Sequence, residues 1–73
     1  MDLEKFKIEL GKKIAHTRKK NGLTQPELGA LLGKDFQSIS RIENGKVNIS
    51  AHFLYEIAKA LNVSVETLLD FKN

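Results

Sequence analysis

Apolar side chains near the start of the chain recur at every third or fourth residue, and this spacing predicts a helix. Five residues lie on one face of a 3.6-residue period: Leu3, Phe6, Leu10, Ile14 and Thr17. Basic residues occupy the other side and the end of the segment, where positive charge is favourable near a helix C-terminus. The pair Asn21-Gly22 ends the pattern, because glycine adopts the left-handed C-cap conformation at little cost.

Capping signals predict a second helix directly afterwards. Thr24 is an N-cap residue, and Glu27, three positions later, completes a capping box. Pro26 falls in the first turn, where its missing N–H is no loss. Gly33 ends this helix after about two turns. The apolar stripe that we expect to be buried consists of Leu28, Leu31 and Leu32.

A third helix is predicted from about Phe36 to Glu43, with Asp35 as its N-cap. The pair Asn44-Gly45 terminates it. Its buried positions are Ile39 and Ile42. Its outward positions are Phe36, Gln37, Ser40 and Arg41.

Two further helices are predicted over about residues 51–71, with Ser50 and Ser64 as their N-caps. Asn62 is the expected left-handed stop between them, and the last helix runs to about Phe71. Their buried positions are Leu54, Ile57, Ala58, Leu61, Leu68 and Leu69. No strand periodicity competes, so the sequence predicts an all-α domain of five short helices across residues 1–73.

Length and composition exclude several classes of protein. The 73 residues suffice for one domain, and the absence of cysteine excludes disulfides and thiolate zinc sites. His16 and His52 lie on different predicted helices, so no metal site is expected. Without a glycine-rich phosphate loop or a nucleophile motif, we expect neither catalytic residues nor a cofactor. The charged start and the lack of a long apolar stretch lead us to expect a cytoplasmic protein with no membrane contact.

Positive charge is concentrated in the middle of the chain. Residues 10–48 contain eight basic and three acidic side chains, a net charge of +5, whereas residues 1–9 and 49–73 each carry −1. The net charge of the whole chain is only +3. Solvated helix faces and a polyanion-binding surface both fit this distribution.

The second and third predicted helices, about residues 24–43, are the most informative about function. Two short helices joined by a tight turn, with polar groups facing outward from the second, are typical of a helix-turn-helix. In that arrangement the second helix enters the major groove, and its N-terminal outward residues meet base edges. The first helix lies across the DNA backbone and points its N-terminal amides at a phosphate.

Four segments in this order resemble the phage-repressor/Cro-type helix-turn-helix family, also called XRE. They are LTQPEL at 23–28, LG at 32–33, ISRIENG at 39–45 and IAKALNVS at 57–64. The likeness extends over about residues 10–70. It implies a compact five-helix repressor-like domain that binds double-stranded DNA sequence-specifically, usually as a dimer on a palindrome.

The resemblance also implies roles for individual positions. The base-reading positions correspond to Phe36, Gln37, Ser40 and Arg41. The backbone-contacting positions correspond to Gln25, Asn44 and Lys46, and Gln25 can also brace a side chain of the recognition helix. Lys34 is a further phosphate candidate at the turn. Additional positive field would come from Lys12, Lys13, Lys19 and Lys20.

The side-chain chemistry agrees with these roles. Gln37 can pair bidentately with adenine, Arg41 can pair with guanine or a phosphate, and Phe36 can contact a thymine methyl. The alternative for Gln37 and Ser40 is that they are exposed polar residues with no DNA contact. The alternative for Phe36 is packing against the second helix.

Some positions depart from the family pattern or from what a DNA-facing helix needs. Thr17 stands where leucine is usual, which makes that corner of the core more polar. Gly29 replaces the common alanine and allows close approach of the third helix, at up to about 1 kcal/mol of helix propensity. Ile49 replaces the usual proline. We expect the acidic Glu43 to point away from DNA and to pair with a basic group such as Arg18.

We expect a homodimer, because one helix in one groove makes few base contacts and two half-sites double them. Candidate interface residues are Phe53, Tyr55, Val65, Leu68 and Phe71, whose alternative role is to close the monomer core. The function expected is that of a transcriptional regulator of the bacterial or phage repressor type. The alternative is an antitoxin with a toxin as protein partner, or a restriction–modification controller, built on the same fold.

Overall fold

The computed structural model describes residues 1–72, which form five helices. They are α1 (Leu3–Lys20), α2 (Gln25–Leu32), α3 (Phe36–Glu43), α4 (Ala51–Ala60) and α5 (Val65–Leu68). No strand occurs in this described part of the chain. The predicted all-α, five-helix architecture is therefore confirmed, and α3 has the predicted bounds.

A side-chain cap begins each helix. In every case the cap oxygen accepts a hydrogen bond from the backbone N–H three residues later, which satisfies a donor that the helix leaves free. The caps are Asp2, Thr24, Asp35, Ser50 and Ser64. The capping box is confirmed, since Glu27 N–H donates to Thr24 Oγ1 over 3.1 Å and Thr24 N–H donates to the Glu27 carboxylate over 2.8 Å. The hydrogen bond from Ser38 N–H lowers the pKa of the Asp35 carboxyl below its ordinary value.

Left-handed backbone conformations end α2 and follow α4. Gly33 has a φ of 68° and a ψ of 31°. Asn62 has a φ of 58°. Glycine and asparagine adopt this region at the least cost, so the stops predicted at these two positions are confirmed.

All five helices contribute to one core. α3 packs against α1 and α2, α4 packs against α2 and α5, and α5 returns to α1. The buried apolar residues are Leu10, Ile14, Leu28, Ile39, Ile42, Ile57, Ala58, Leu61 and Leu68. Removal of these side chains from water is the main stabilising term for a chain of this size. This packing holds α3 by its inner side only.

Two glycines determine how closely α1 approaches the end of α3. A Cβ at Gly11 would lie 2.5 Å from the Ile42 carbonyl oxygen and 2.6 Å from that of Glu43. Gly45, directly after α3, has a φ of 71°, and a Cβ there would lie 2.9 Å from Ile8 Cα. Any larger residue at either position would have to displace backbone atoms. The position of α3 therefore depends on glycine on both sides of this contact.

Two departures from the family pattern have local consequences. Gly29 allows a close approach as predicted, but its neighbour is the turn rather than the body of the third helix. Its C=O accepts from Lys34 N–H over 2.8 Å, and a Cβ there would lie 2.5 Å from the Lys34 carbonyl oxygen. Thr17 is buried, and its hydroxyl donates to Lys13 C=O over 2.8 Å. The polar group at this corner of the core therefore has its hydrogen-bond partner within α1.

The predictions that Leu31 and Leu69 are buried are wrong, because these side chains are 60% and 39% exposed. α2 is short, and its buried residues are Leu28 and Gly29, so Leu31 lies beyond its contact surface. Leu3 is likewise 50% exposed although it lies on the apolar face of α1. The first fully buried residue of that helix is Leu10, and Phe6 packs against the edge of the core, so Leu3 in the first turn lies beyond it.

α5 is shorter than the sequence predicts. It ends at Leu68 instead of about Phe71, and Leu69 N–H closes the last turn onto Val65 C=O. The chain then leaves the helix, and the Phe71 ring packs edge-on against Phe6 with centroids 5.8 Å apart. This aromatic contact joins the two ends of the described chain.

We expect Gly11→Ala to destabilise the domain by a net amount of roughly 1–2 kcal/mol, because the added Cβ forces α1 away from the carbonyl groups at the end of α3. The gain in helix propensity, about 1 kcal/mol, acts in the opposite direction. Urea unfolding followed by circular dichroism measures the change. His16→Ala, at an exposed position of the same helix, is the control and should stay within about 0.5 kcal/mol of wild type. Unchanged stability of Gly11→Ala would contradict the close approach.

Candidate nucleic-acid interface

α2, the intervening turn and α3 form a helix-turn-helix in which one side of α3 faces solvent. Ile39 and Ile42 are buried on the inner side, as predicted. Phe36, Gln37 and Arg41 are exposed, and Phe36 has 52% of its surface in solvent. Three of the four predicted base-reading side chains are therefore accessible together on one short helix.

Ser40, the fourth predicted base-reading residue, is engaged with Asn44 at the end of α3. The Asn44 Nδ2 group donates to Ser40 C=O over 2.9 Å and lies 3.3 Å from Ser40 Oγ. Ser40 is half-buried, so its hydroxyl is less accessible than the side chains of Gln37 and Arg41. Ser40 C=O also accepts the backbone N–H of Asn44 over 3.0 Å, so the Asn44 side-chain amide adds a second hydrogen bond to the same carbonyl group.

The single carboxylate of α3 points inward. Glu43 accepts two hydrogen bonds from the Arg18 guanidinium, from Nε over 2.6 Å and from Nη2 over 3.0 Å. The side chain of Arg18 is only 9% exposed, and that of Glu43 only 6%. Bonding to Glu43 raises the pKa of the Arg18 guanidinium above its ordinary value. The predicted pairing of Glu43 with Arg18 is confirmed.

Gln25 joins this ion pair from the start of α2. Its Nε2 group donates to Glu43 Oε1 over 3.0 Å. Arg18 Nη1 donates to Leu23 C=O over 2.8 Å, just before α2 begins. The end of α1, the start of α2 and the end of α3 therefore meet at one carboxylate. The sequence suggested that Gln25 braces a side chain of α3 but did not identify Glu43 as that side chain.

Lys34, in the turn, lies over an aromatic ring of α4. Its Nζ atom is 5.4 Å from the centroid of Phe53, within the range of a cation–π contact. The two side chains border a cleft between α3 and the start of α4, together with Ser38, Arg41, Asn48 and Ser50. Sequence reasoning missed this contact, because no spacing rule relates a turn residue to a helix that follows much later in the chain.

The basic residues predicted to contact the DNA backbone are not all on the side of α3. The exposed ones are Lys12, Lys19, Lys20, Lys34 and Lys46. Lys13 and Lys20 border a groove that faces the link between α4 and α5. Lys12 lies 3.8 Å from the Glu9 carboxylate. Lys46 directly follows the C-cap region of α3, so Lys34 and Lys46 are the lysines closest in the chain to its two ends.

The residues predicted for a dimer interface separate into buried and exposed ones. Leu68 is fully buried, so its assignment to an interface is wrong: it is the inward side chain of α5 and has no surface to offer. Half-buried positions are Phe53, Val65 and Phe71. Tyr55 is 53% exposed and, two positions after Phe53, points to the opposite side of α4. Leu69, which the sequence assigned to the core, adds exposed apolar surface on the neighbouring segment.

The sequence from the core of α1 to the end of α5 matches a protein-family model. The model is described as helix-turn-helix and covers residues 14–68. The chain belongs to the XRE-type helix-turn-helix family. Its members are DNA-binding regulators of transcription, and the resemblance found in the sequence motifs is thereby confirmed.

Individual relatives extend this comparison. The uncharacterized transcriptional regulator y4dJ of Sinorhizobium fredii is 41% identical over 64 residues, which are 88% of this chain and 79% of that protein. The antitoxin PezA of Streptococcus pneumoniae is 38% identical over 55 residues, 75% of this chain but 35% of that protein. The crystal structure of the restriction-modification controller C.AhdI from Aeromonas hydrophila has a TM-score of 0.86 at 26% identity, over 93% of this chain and 99% of that one.

Residues 1–72 contain neither a membrane-spanning helix nor a metal-binding cluster. None of the helices there is both long enough and apolar enough to cross a membrane. No group of three His, Cys, Asp or Glu side chains in the same residues could hold a metal ion. Every buried side-chain nitrogen and oxygen in this range has a hydrogen-bond partner, which includes the polar atoms of the Arg18–Glu43 pair.

We expect Glu43→Gln to lower the free energy of unfolding by roughly 3–5 kcal/mol, because Arg18 is then buried without a carboxylate. Urea unfolding measures the loss. The double variant Arg18→Met/Glu43→Leu removes both charges and should be more stable than Glu43→Gln. Arg18→Met and Glu43→Leu are also measured singly, and a double variant whose loss equals the sum of these two losses would show that the pair is not coupled.

Proposed function

We propose that this protein is a sequence-specific transcriptional regulator of the repressor type that binds double-stranded DNA as a homodimer and reads a palindromic operator with α3. The observation that carries the proposal is the division of charge on α3. Its solvent side presents Gln37 and Arg41, while its single carboxylate, Glu43, is held inward by Arg18. A helix that approaches phosphate groups gains from the absence of an outward negative charge.

The exposed side chains of α3 have the chemistry of base recognition. Gln37 and Arg41 are four residues apart and therefore project from the same side of the helix. A glutamine amide matches the N6/N7 edge of adenine, and a guanidinium matches the O6/N7 edge of guanine. Phe36, at the N-terminal end of α3, offers apolar surface to a thymine methyl. In the proposed complex, the contacts that set the register with the DNA backbone come from Gln25, Lys34, Asn44 and Lys46.

Apolar surface on the side of α4 and α5 supports the homodimer. Tyr55 and Leu69 are exposed on neighbouring segments, since α4 packs against α5. A two-fold arrangement through this surface would present two copies of α3 to one face of the duplex. We therefore place the interface at Tyr55 and Leu69, with Val65 and Phe71 at its edge.

Selection of bound duplexes from a random pool tests the proposed function. We expect a palindrome whose half-sites lie about 34–36 Å apart, one turn of the DNA helix. The variant Gln37→Ala/Arg41→Ala, run through the same selection, should enrich no palindrome. Enrichment of a single half-site would refute the dimer, and enrichment of no sequence by the wild-type protein would refute sequence-specific binding.

Gln37→Ala should relax specificity at one base-pair position by about 1–3 kcal/mol, seen as a smaller difference in affinity between the operator and an operator changed at that position. Lys46→Ala is the matched control at the other end of α3. It should weaken binding to all sequences alike and flatten the slope of log K against log salt by about 1. A uniform loss from Gln37→Ala, with unchanged preference, would overturn its base-reading role.

A restriction–modification controller is a second candidate, favoured by the likeness to C.AhdI over 99% of that chain. Both candidates bind DNA, and they differ in the genes they control. Methyltransferase and endonuclease genes next to the gene for this protein would favour the controller. A toxin partner has less support, because the match to PezA covers only 35% of that antitoxin. Copurification of a toxin encoded by an adjacent gene would favour it.

A further inference from the structure

Lys34 is fixed at its backbone, and its ammonium contacts a second helix. Its backbone is fixed on α2, since its N–H donates to Gly29 C=O over 2.8 Å and its carbonyl oxygen occupies space that a Cβ at Gly29 would need. Its ammonium lies over α4, with Nζ 5.4 Å from the centroid of the Phe53 ring. The lysine thus bridges from the turn before α3 to the helix after it.

The ring that receives the ammonium is itself fixed. Phe53 is half-buried and packs against the core. Its backbone N–H donates to Ser50 Oγ over 3.0 Å, which is the N-cap bond of α4. The position of the ring therefore depends on α4 and the core, and does not depend on Lys34.

The aromatic ring of Phe53 leaves the positive charge of Lys34 available to a further, anionic partner. Among residues 1–72, no carboxylate lies at ion-pair distance from its ammonium. The neighbouring Asp35 carboxylate instead accepts Ser38 N–H over 2.8 Å as the cap of α3. A carboxylate partner would neutralise the ammonium, whereas an aromatic face attracts it and leaves it a full positive charge.

The cleft beside the ring suits an anion. The polar side chains that border it within the described chain are basic or neutral: Lys34, Ser38, Arg41, Asn48 and Ser50. Arg41 borders this cleft and also belongs to the exposed side of α3. The cleft therefore opens next to the surface proposed to face DNA.

We propose that Phe53 is a positioning residue that holds the Lys34 ammonium at this cleft for contact with a phosphate of the DNA strand. The inference rests on the proposed DNA-binding function and adds a contribution from α4 to it. A lysine side chain loses much rotamer freedom when a ligand fixes it. Because Phe53 has already restricted Lys34, less freedom is lost on binding, and affinity for any DNA sequence rises.

A double-mutant cycle on DNA binding tests this role. The probe is one short mixed-sequence duplex at low salt, because a phosphate contact acts on any sequence. Phe53→Leu should weaken binding about two- to fivefold per bound subunit in the protein with Lys34 and have no further effect on a Lys34→Gln background. Phe53→Tyr keeps the aromatic face and should bind as the wild type does. Equal losses from Phe53→Leu on both backgrounds would overturn the proposal, because they indicate a structural effect alone.

A second measurement needs no DNA. In the free protein, the ε-methylene protons of Lys34 should show an upfield ring-current shift that persists in Phe53→Tyr and disappears in Phe53→Leu. Absence of that shift in the wild type would overturn the positioning role even if DNA binds. Failure of the wild type to bind any duplex would refute the proposed function and, with it, the inference. If the wild type binds but Phe53→Leu causes the same loss with and without Lys34, only the inference is refuted.

Discussion

The ion pair between Arg18 and Glu43 is the contact on which the position of α3 depends. Its two side chains are almost completely buried, and the loss of one partner would leave a charge in a region of low dielectric. The Glu43 carboxylate also accepts a hydrogen bond from the Gln25 amide, and the Arg18 guanidinium also donates one to Leu23 C=O. Gly11 lets α1 lie directly against the last carbonyl groups of α3, the two helices that the pair joins.

A buried ion pair is not required for stability as such, since apolar side chains of similar volume are often at least as stabilising. This pair has two consequences that apolar residues would not reproduce. It fixes Gln25 at the start of α2 through a directed hydrogen bond. It also removes the only carboxylate of α3 from the side that carries Gln37 and Arg41. In the proposed function, the interaction that orients the recognition helix is therefore also the one that keeps its outward side free of negative charge.

Local sequence signals predicted the first residues of the helices more reliably than they predicted which apolar side chains are buried. The N-caps at Thr24 and Asp35 could be predicted because the contact that makes a cap spans only three residues. Leu31 fits the apolar spacing and yet faces solvent, because spacing identifies one side of a helix but not the width of the surface that covers it. The end of α5 was predicted too late: Phe71 lies outside the helix and packs on Phe6 near the other end of the chain, a contact that local spacing does not reveal.

The candidate site divides in the same way. The inward turn of Glu43 could be predicted, because an acid on a helix expected to meet phosphate needs a cationic partner elsewhere. The contact between Lys34 and Phe53 could not, because a lysine in a turn and an aromatic residue on a helix each satisfy local rules without the other. The two contacts also act differently. Breaking a buried ion pair destabilises the protein strongly, so the pair fixes the geometry of the helices that it joins. An exposed cation–π contact is weak and only biases the conformation of a side chain. In the proposed complex, α3 is thus held rigidly on its inner side, where base-reading geometry is set, and is flanked by a cation that can still adjust to the phosphate it meets.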